Sequence, residues 1–164
     1  KGAVELLLAE CYVRRDQAAV VTFRGPGAEV ALAPTRSLTR AKRSLAALPA
    51  GGGTPLAAGL DTAHALAQQI TRQGETAVVV LLTDGRANLA RDGSPGRAKA
   101  GEDALASAAA FARDGITSLL IDTSPQPQPT AQALATRMGA QYVALPHAGA
   151  QGLSQVVRAA TTRG

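Results

Sequence analysis

Apolar positions recur along this chain with two alternating periods. Val4, Leu7, Leu8 and Cys11 fall at the i, i+3, i+4, i+7 spacing of one helix face. Gln17–Phe23 (QAAVVTF) then reads as a buried strand, Gly25-Pro26-Gly27 as a turn, and Glu29–Ala33 (EVALA) as a short return strand. So tight a turn makes the pair antiparallel. Ser37 is placed to cap a helix whose inner side carries Leu38, Ala41, Leu45 and Leu48 and which Pro49 ends. Its outer side is basic, with Arg36, Arg40, Lys42 and Arg43, and reads as a solvated face. Gly51–Leu56 (GGGTPL) opens a long helix with Leu56, Leu60, Ala63, Ala67 and Ile70 on one stripe and Gly74 at its stop.

Ala77–Thr83 (AVVVLLT) is a near-continuous apolar run, the pattern of a central strand covered on both faces. It runs straight into Asp84-Gly85. Turn signals at Asp92-Gly93 and Ser94-Pro95-Gly96 predict a loop from Arg86 to Gly101, then a helix from about Glu102 to Asp114, closed by Gly115. Thr117–Asp122 reads as a strand and Ser124–Pro129 (SPQPQP) as a stiff extended loop. Thr130 is placed to cap a short helix with Ala131, Leu134, Ala135 and Met138 inward and Gly139 at its stop. Gln141–Leu145 is the last strand, and Leu153, Val156, Val157 and Ala160 mark a terminal helix. This alternation is that of a doubly wound α/β domain with a mostly parallel sheet and one antiparallel edge strand. No repeat or linker divides residues 1–164. Since the chain opens on a helix with no cap ahead of Lys1, it is expected to continue upstream.

Composition narrows the function classes. Among 164 residues, 46% are apolar, enough for the core of one domain. Aromatics are 2% with no Trp, which argues against a base-stacking platform for single-stranded nucleic acid. Seventeen Lys and Arg against twelve Asp and Glu leave +5, a balance that suits acidic partners. One Cys excludes an internal disulfide and a Cys-built zinc site. No apolar run reaches the roughly 18 residues of a membrane span, and KGAVELLLAE lacks the features of a signal peptide, so a cytoplasmic setting is expected.

Candidate chemistry gathers on two loops. In open α/β sheets, ligands bind beyond the carboxyl ends of strands. Asp84 leaves what reads as the most buried strand there, and Thr54 offers a hydroxyl beside the Gly51–Gly53 run. Hydroxyl and carboxylate oxygens are hard ligands that suit Mg²⁺. The bland alternative is that both are simply turns. GGGTPL lacks the GK[ST] ending of a P-loop, GxGxxG is absent, and no Ser-His-Asp or Gly-x-Ser-x-Gly arrangement is visible. Arg86, Arg91, Arg97 and Lys99 surround the long loop, where they would steer an acidic surface or form a solvated basic loop. His64 reads as a satisfied, half-buried histidine. His147 has no second ligand at metal spacing, and Cys11 reads as core.

GGGTPLAAGLDTA followed by VVVLLTDGRANLARDG resembles the von Willebrand A (integrin I-like) domain, and within it the C-terminal domain of magnesium chelatase D subunits. AVELLLAECYVRRDQAAVVTFRG and PTRSLTRAKRSLAALP look the same way, so the resemblance covers essentially the whole chain. It implies a metal-ion-dependent adhesion site. There Mg²⁺ is held by an Asp-x-Ser-x-Ser loop, by a Thr matched by Thr54 and by an Asp matched by Asp84, with one position open for a partner's acidic side chain. The Asp-x-Ser-x-Ser segment is not in this sequence. In the family's order, the strand carrying it lies between Gln17–Phe23 and Ala77–Thr83. The implied function is non-catalytic docking within an ATP-driven ring complex that inserts Mg²⁺ into protoporphyrin IX for chlorophyll and bacteriochlorophyll synthesis. The implied partners are an AAA+ ATPase subunit, which binds the ATP, and a porphyrin-binding H subunit, with no nucleic acid. Alternatives are the corresponding domain of a cobalt chelatase, a generic Mg²⁺-dependent adhesion domain, or a small flavodoxin-like or phosphatase-type enzyme using Asp84.

Overall fold

The computed structural model describes residues 16–24, 27–46 and 53–144, together with Ala9 and Tyr12, both helical. The sequence readings on Val4, Leu7, Leu8 and Cys11, on the Gly25-Pro26 corner, on the Leu45 side chain and on Leu48 to Gly52 lie outside the described residues. So do those on Leu145, on His147 and on the C-terminal helix. The described elements run β1 (Ala18–Arg24), β2 (Gly27–Thr35), α1 (Leu38–Ala46), α2 (Leu56–Arg72), β3 (Val78–Thr83), α3 (Arg97–Arg113), β4 (Thr117–Asp122), α4 (Pro129–Met138) and β5 (Gln141–Ala144).

β1 and β2 pair antiparallel, as their tight connection requires, with register shifts near Val20. β3, β4 and β5 form a parallel sheet in the order β3-β4-β5, with Thr83 opposite Asp122 at its carboxyl end. The two pieces share no strand pairing among the described residues. The break falls where the family resemblance puts a further strand. β1 runs the same way as β3. The amide of Gln17, just before β1, donates to Glu75, just before β3 (3.4 Å), while Phe23 near the end of β1 packs on Gly59 in the first turns of α2. Helix α2 touches β1, β2 and β3, and so ties the two pieces together.

The main core sits where α2, α3 and α4 pack on β3–β5. Its fully buried side chains include Leu56, Leu60, Leu120, Phe111 and Met138. Alanines at 100, 104, 108, 131 and 135 let the helices approach closely. α1 covers the other piece through Ala41, against Ala18, Leu32 and Leu38. Ser37 caps it as expected, its Oγ accepting the Arg40 amide (3.2 Å). His64 is satisfied as read: its Nε2 meets Asp114 Oδ2 at 2.7 Å and its ring meets Phe111 edge-on, which clips α2 to α3.

Three boundaries differ from the sequence reading. α3 starts at Arg97, not near Glu102, because the loop signals end at Gly96 (φ +134°). The added turn buries Ala100 completely and sets Lys99 against Asp103 at i, i+4 (3.2 Å). α4 begins at Pro129 and not behind a Thr130 cap, since Pro at the first position has no amide left needing a partner. β2 runs on through Pro34, which is tolerated on an edge strand.

Candidate functional site

β3 ends at Thr83, and the chain turns sharply through Asp84 and Gly85. The turn is held by two local bonds: the Gly85 amide donates to Thr83 Oγ1 (3.0 Å) and the Arg86 amide to Asp84 Oδ1 (2.9 Å). Gly85 has φ +82°, and a Cβ there would stand 2.7 Å from the Ala131 backbone nitrogen. Only glycine supplies both that backbone and that close approach to the first turn of α4.

Asn88 joins this turn to the second loop. Its Oδ1 accepts the Thr54 amide (2.7 Å), and the amides of Asn88 and Leu89 donate back to the Thr54 carbonyl (3.2 and 3.4 Å). Gly53 lies so close that a Cβ would stand 2.6 Å from Leu89 Cδ1. Thr54 is therefore sewn to the loop four residues beyond Asp84, and both lie at the carboxyl end of β3, half-buried. Among the described residues nothing hydrogen-bonds the Thr54 hydroxyl or the second carboxylate oxygen of Asp84. These are hard oxygen donors of the kind Mg²⁺ takes. Sequence reasoning gave Asn88 no role; its only signal was an amide side chain in the TDGRAN run.

The four basic residues of the long loop divide. Arg91 is committed internally: its Nε donates to Asp61 Oδ2 (2.8 Å), its Nη2 to Ser107 Oγ, and its amide to Asp103 Oδ2 (2.8 Å). Lys99 pairs with Asp103. The Arg91 amide and Lys99 together hold the Asp103 carboxyl below its usual range, though burial works the other way. These residues strap the loop onto α2 and α3. Arg86 and Arg97 are exposed, with no pairing among the described residues. Replacing Arg91 by Ala should free the strap. The expected result is faster amide exchange at Ala90 and Gly93, whose bonds close the loop turn, with little change in the β-strands. Unchanged exchange there would show that the backbone turns alone hold the loop.

A buried carboxylate stands at the end of the neighbouring strand. Asp122 is wholly inaccessible; its Oδ2 accepts the Tyr142 hydroxyl (2.5 Å) and its Oδ1 the Ser124 amide (2.9 Å). Burial pushes its carboxyl up, but the hydrogen bonds from Tyr142 and Ser124 outweigh that and leave it lowered. An open groove of about 320 Å³ lies at the opposite end of the sheet, lined by Thr71, Glu75, Thr76 and Thr117 among others. No group of three or more His, Cys, Asp or Glu side chains is gathered for a metal among the described residues. No described helix is long and apolar enough to cross a membrane.

The von Willebrand factor type A domain model matches residues 1–86. The chain is 54% identical over 160 residues to the magnesium-chelatase 60 kDa subunit of Cereibacter sphaeroides, covering 98% of this chain and 29% of that protein. It is 48% identical to the magnesium-chelatase 60 kDa subunit of Rhodobacter capsulatus, covering 98% of this chain and 28% of that one. The chain thus spans under a third of the length of these relatives. Among solved structures it resembles the SpRpn10 VWA domain, with TM-score 0.68 at 14% identity over 96% of this chain and 80% of that one, a likeness of fold. With the parallel sheet, the antiparallel pair and the paired Thr54 and Asp84 loops, these matches show that the chain belongs to the von Willebrand factor type A domain family, in company with magnesium-chelatase subunits.

Proposed function

We propose that this domain is a docking module of a magnesium chelatase, using a Mg²⁺ held in part by Thr54 and Asp84 to bind an acidic side chain of a partner. The observation that carries the reading is the joint placement of Thr54 and Asp84 through Asn88. Two loops distant in sequence are fixed together where ligands bind in this kind of sheet. The magnesium-chelatase relatives favour magnesium over the cobalt alternative.

In this reading the domain makes and breaks no covalent bond. Its partner is an AAA+ ATPase subunit that binds ATP, within a ring assembly that works with a porphyrin-binding subunit. The family resemblance implies further ligands from an Asp-x-Ser-x-Ser loop, which is not among these residues. Arg86 and Arg97, exposed beside the site, steer the acidic partner. Arg91 and Lys99 shape the loop that carries them.

Two measurements test it. Calorimetry on the 164-residue chain should show weak or no Mg²⁺ binding, because two ligand side chains are a poor share of the six oxygens Mg²⁺ demands. Pull-down of the full-length subunit with the purified AAA+ subunit should depend on Mg²⁺ and be lost with Asp84→Ala. Equal capture with and without Mg²⁺, and with the variant, would remove the metal bridge.

A further inference from the structure

Thr54 is gripped on both sides of its α-carbon by two residues of the loop that follows β3. Its amide donates to Asn88 Oδ1 (2.7 Å), and its carbonyl accepts the amides of Asn88 (3.2 Å) and Leu89 (3.4 Å). A backbone N–H can only donate, so the carboxamide must turn its oxygen, not its nitrogen, to Thr54. Asn88 is itself anchored. Its carbonyl accepts the amide of Gly96 (3.1 Å), the residue before α3, and Leu89 bridges Pro95. Three segments therefore meet at Asn88: the entry to α2, the turn after β3 and the entry to α3.

The side-chain bond does what the two backbone bonds cannot. Those two converge on a single atom, the Thr54 carbonyl oxygen, and leave the residue free to swivel about it. Holding the amide as well fixes the peptide planes on both sides of Thr54, and with them the direction in which its side chain leaves the backbone. Gly53, directly ahead, adds no restraint of its own. A Cβ there would stand 3.3 Å from Asn88 Oδ1 and 2.6 Å from Leu89 Cδ1, so glycine leaves room for the two loops to close. The Thr54 hydroxyl, meanwhile, takes no hydrogen bond among the described residues. A hydroxyl aimed by its neighbours but not used by them suits a ligand of Mg²⁺, which tolerates little error in oxygen position.

We propose that Asn88 is a positioning residue of the Mg²⁺ site: its carboxamide oxygen holds the Thr54 backbone so that the Thr54 hydroxyl and the Asp84 carboxylate face one ion. The inference rests on the metal-site reading above and goes beyond it, by making ion affinity depend on a side chain that touches no metal. Asn88 acts only through Thr54, so its contribution vanishes once the Thr54 hydroxyl is gone. Its loss falls on ion affinity rather than on folding, because the bond is exposed and the two backbone bonds remain.

The test is a calorimetric titration of the full-length subunit with Mg²⁺ in the absence of nucleotide, where the binding lost in D84A defines this site. N88A should weaken that binding by about tenfold or more, the usual effect of removing an outer-shell partner. Its unfolding temperature in chelator should match the parent's, while the Thr54 amide exchanges faster. N88D keeps an acceptor oxygen at this position and should bind Mg²⁺ at least as well as the parent. In a T54V background, N88A should weaken binding no further. Parent affinity in N88A overturns the proposal. So do equal losses in N88A and N88D, and losses from N88A and T54V that add in the double variant. If D84A leaves Mg²⁺ binding unchanged, the metal site itself fails and the proposal falls with it. If D84A abolishes binding while N88A does not weaken it, the site stands and Asn88 has no part in it.

Discussion

Gly85→Ala is expected to destabilise the domain by about 3–5 kcal/mol, the sum of backbone strain and a steric clash. Gly85 sits at φ +82°, where a side chain strains the backbone, and its Cβ would meet the Ala131 nitrogen at 2.7 Å and Cα at 2.8 Å. Both are main-chain atoms of α4, so no rotamer change relieves the contact. Gly74 provides the control. Its φ of +87° is nearly the same, yet nothing lies within 4 Å of a Cβ there. Gly74→Ala should therefore show the strain alone, on the order of 1 kcal/mol. Urea unfolding of the two variants separates the terms. Equal losses would mean that the Asp84-Gly85 turn does not press on α4. If they differ as expected, Gly85→Ala will also shift Asp84 and weaken whatever the site binds.

Asp122→Ala should cost about 3 kcal/mol, because it leaves the Tyr142 hydroxyl and the Ser124 amide without their acceptor in a closed interior. Tyr142→Phe removes only one neutral donor, and about 1–1.5 kcal/mol is expected. Urea midpoints of the two single variants and the double variant test this. Losses that add in the double variant would mean that the two groups do not act as one unit. The pH dependence has two signs. Asp122 is lowered in the folded state, so its contribution is present above the ordinary carboxyl value of 3.8 and fades as pH falls through the folded one. Asp114, lowered chiefly by its bond to His64, adds to the same acid-side loss. Tyr142 is pushed up from 10.0 to about 12 by burial and by the carboxylate it touches. Its share of stability is complete below pH 10 and is lost as pH rises toward about 12. Ultraviolet titration should accordingly find Tyr142 ionising about two units late. A midpoint near 10 would show that the hydroxyl is open to water.

The acid pair shows where reading by residue type stops. Thr117–Asp122 was legible as a strand from TSLLID, but nothing in that run says its last residue is buried. Tyr142 lies 20 positions on, and only the parallel registry of β4 with β5 brings the two together. Asn88 is similar. The sequence marks it as part of a loop; its bond to Thr54 exists because α2 and the β3 turn meet at one end of the sheet.

What the sequence by itself determined was the order of elements between Gln17 and Ala144, the antiparallel pair and the family. Those follow from local signals: apolar period, turn residues and a contiguous motif. The Ala77–Thr83 run, read as the central buried strand, stands at the edge of the described parallel sheet, and β4 is the middle and more deeply buried strand. Tertiary structure alone decided that Arg91 and Lys99 strap a loop while Arg86 and Arg97 have no pairing among the described residues. It also decided that Gly85 is pressed against α4 and that no pairing joins β1 to β3 among the described residues. Each is a relation between segments far apart in the chain. Charge and burial of one residue depend on which neighbours packing delivers, and no local pattern carries that information.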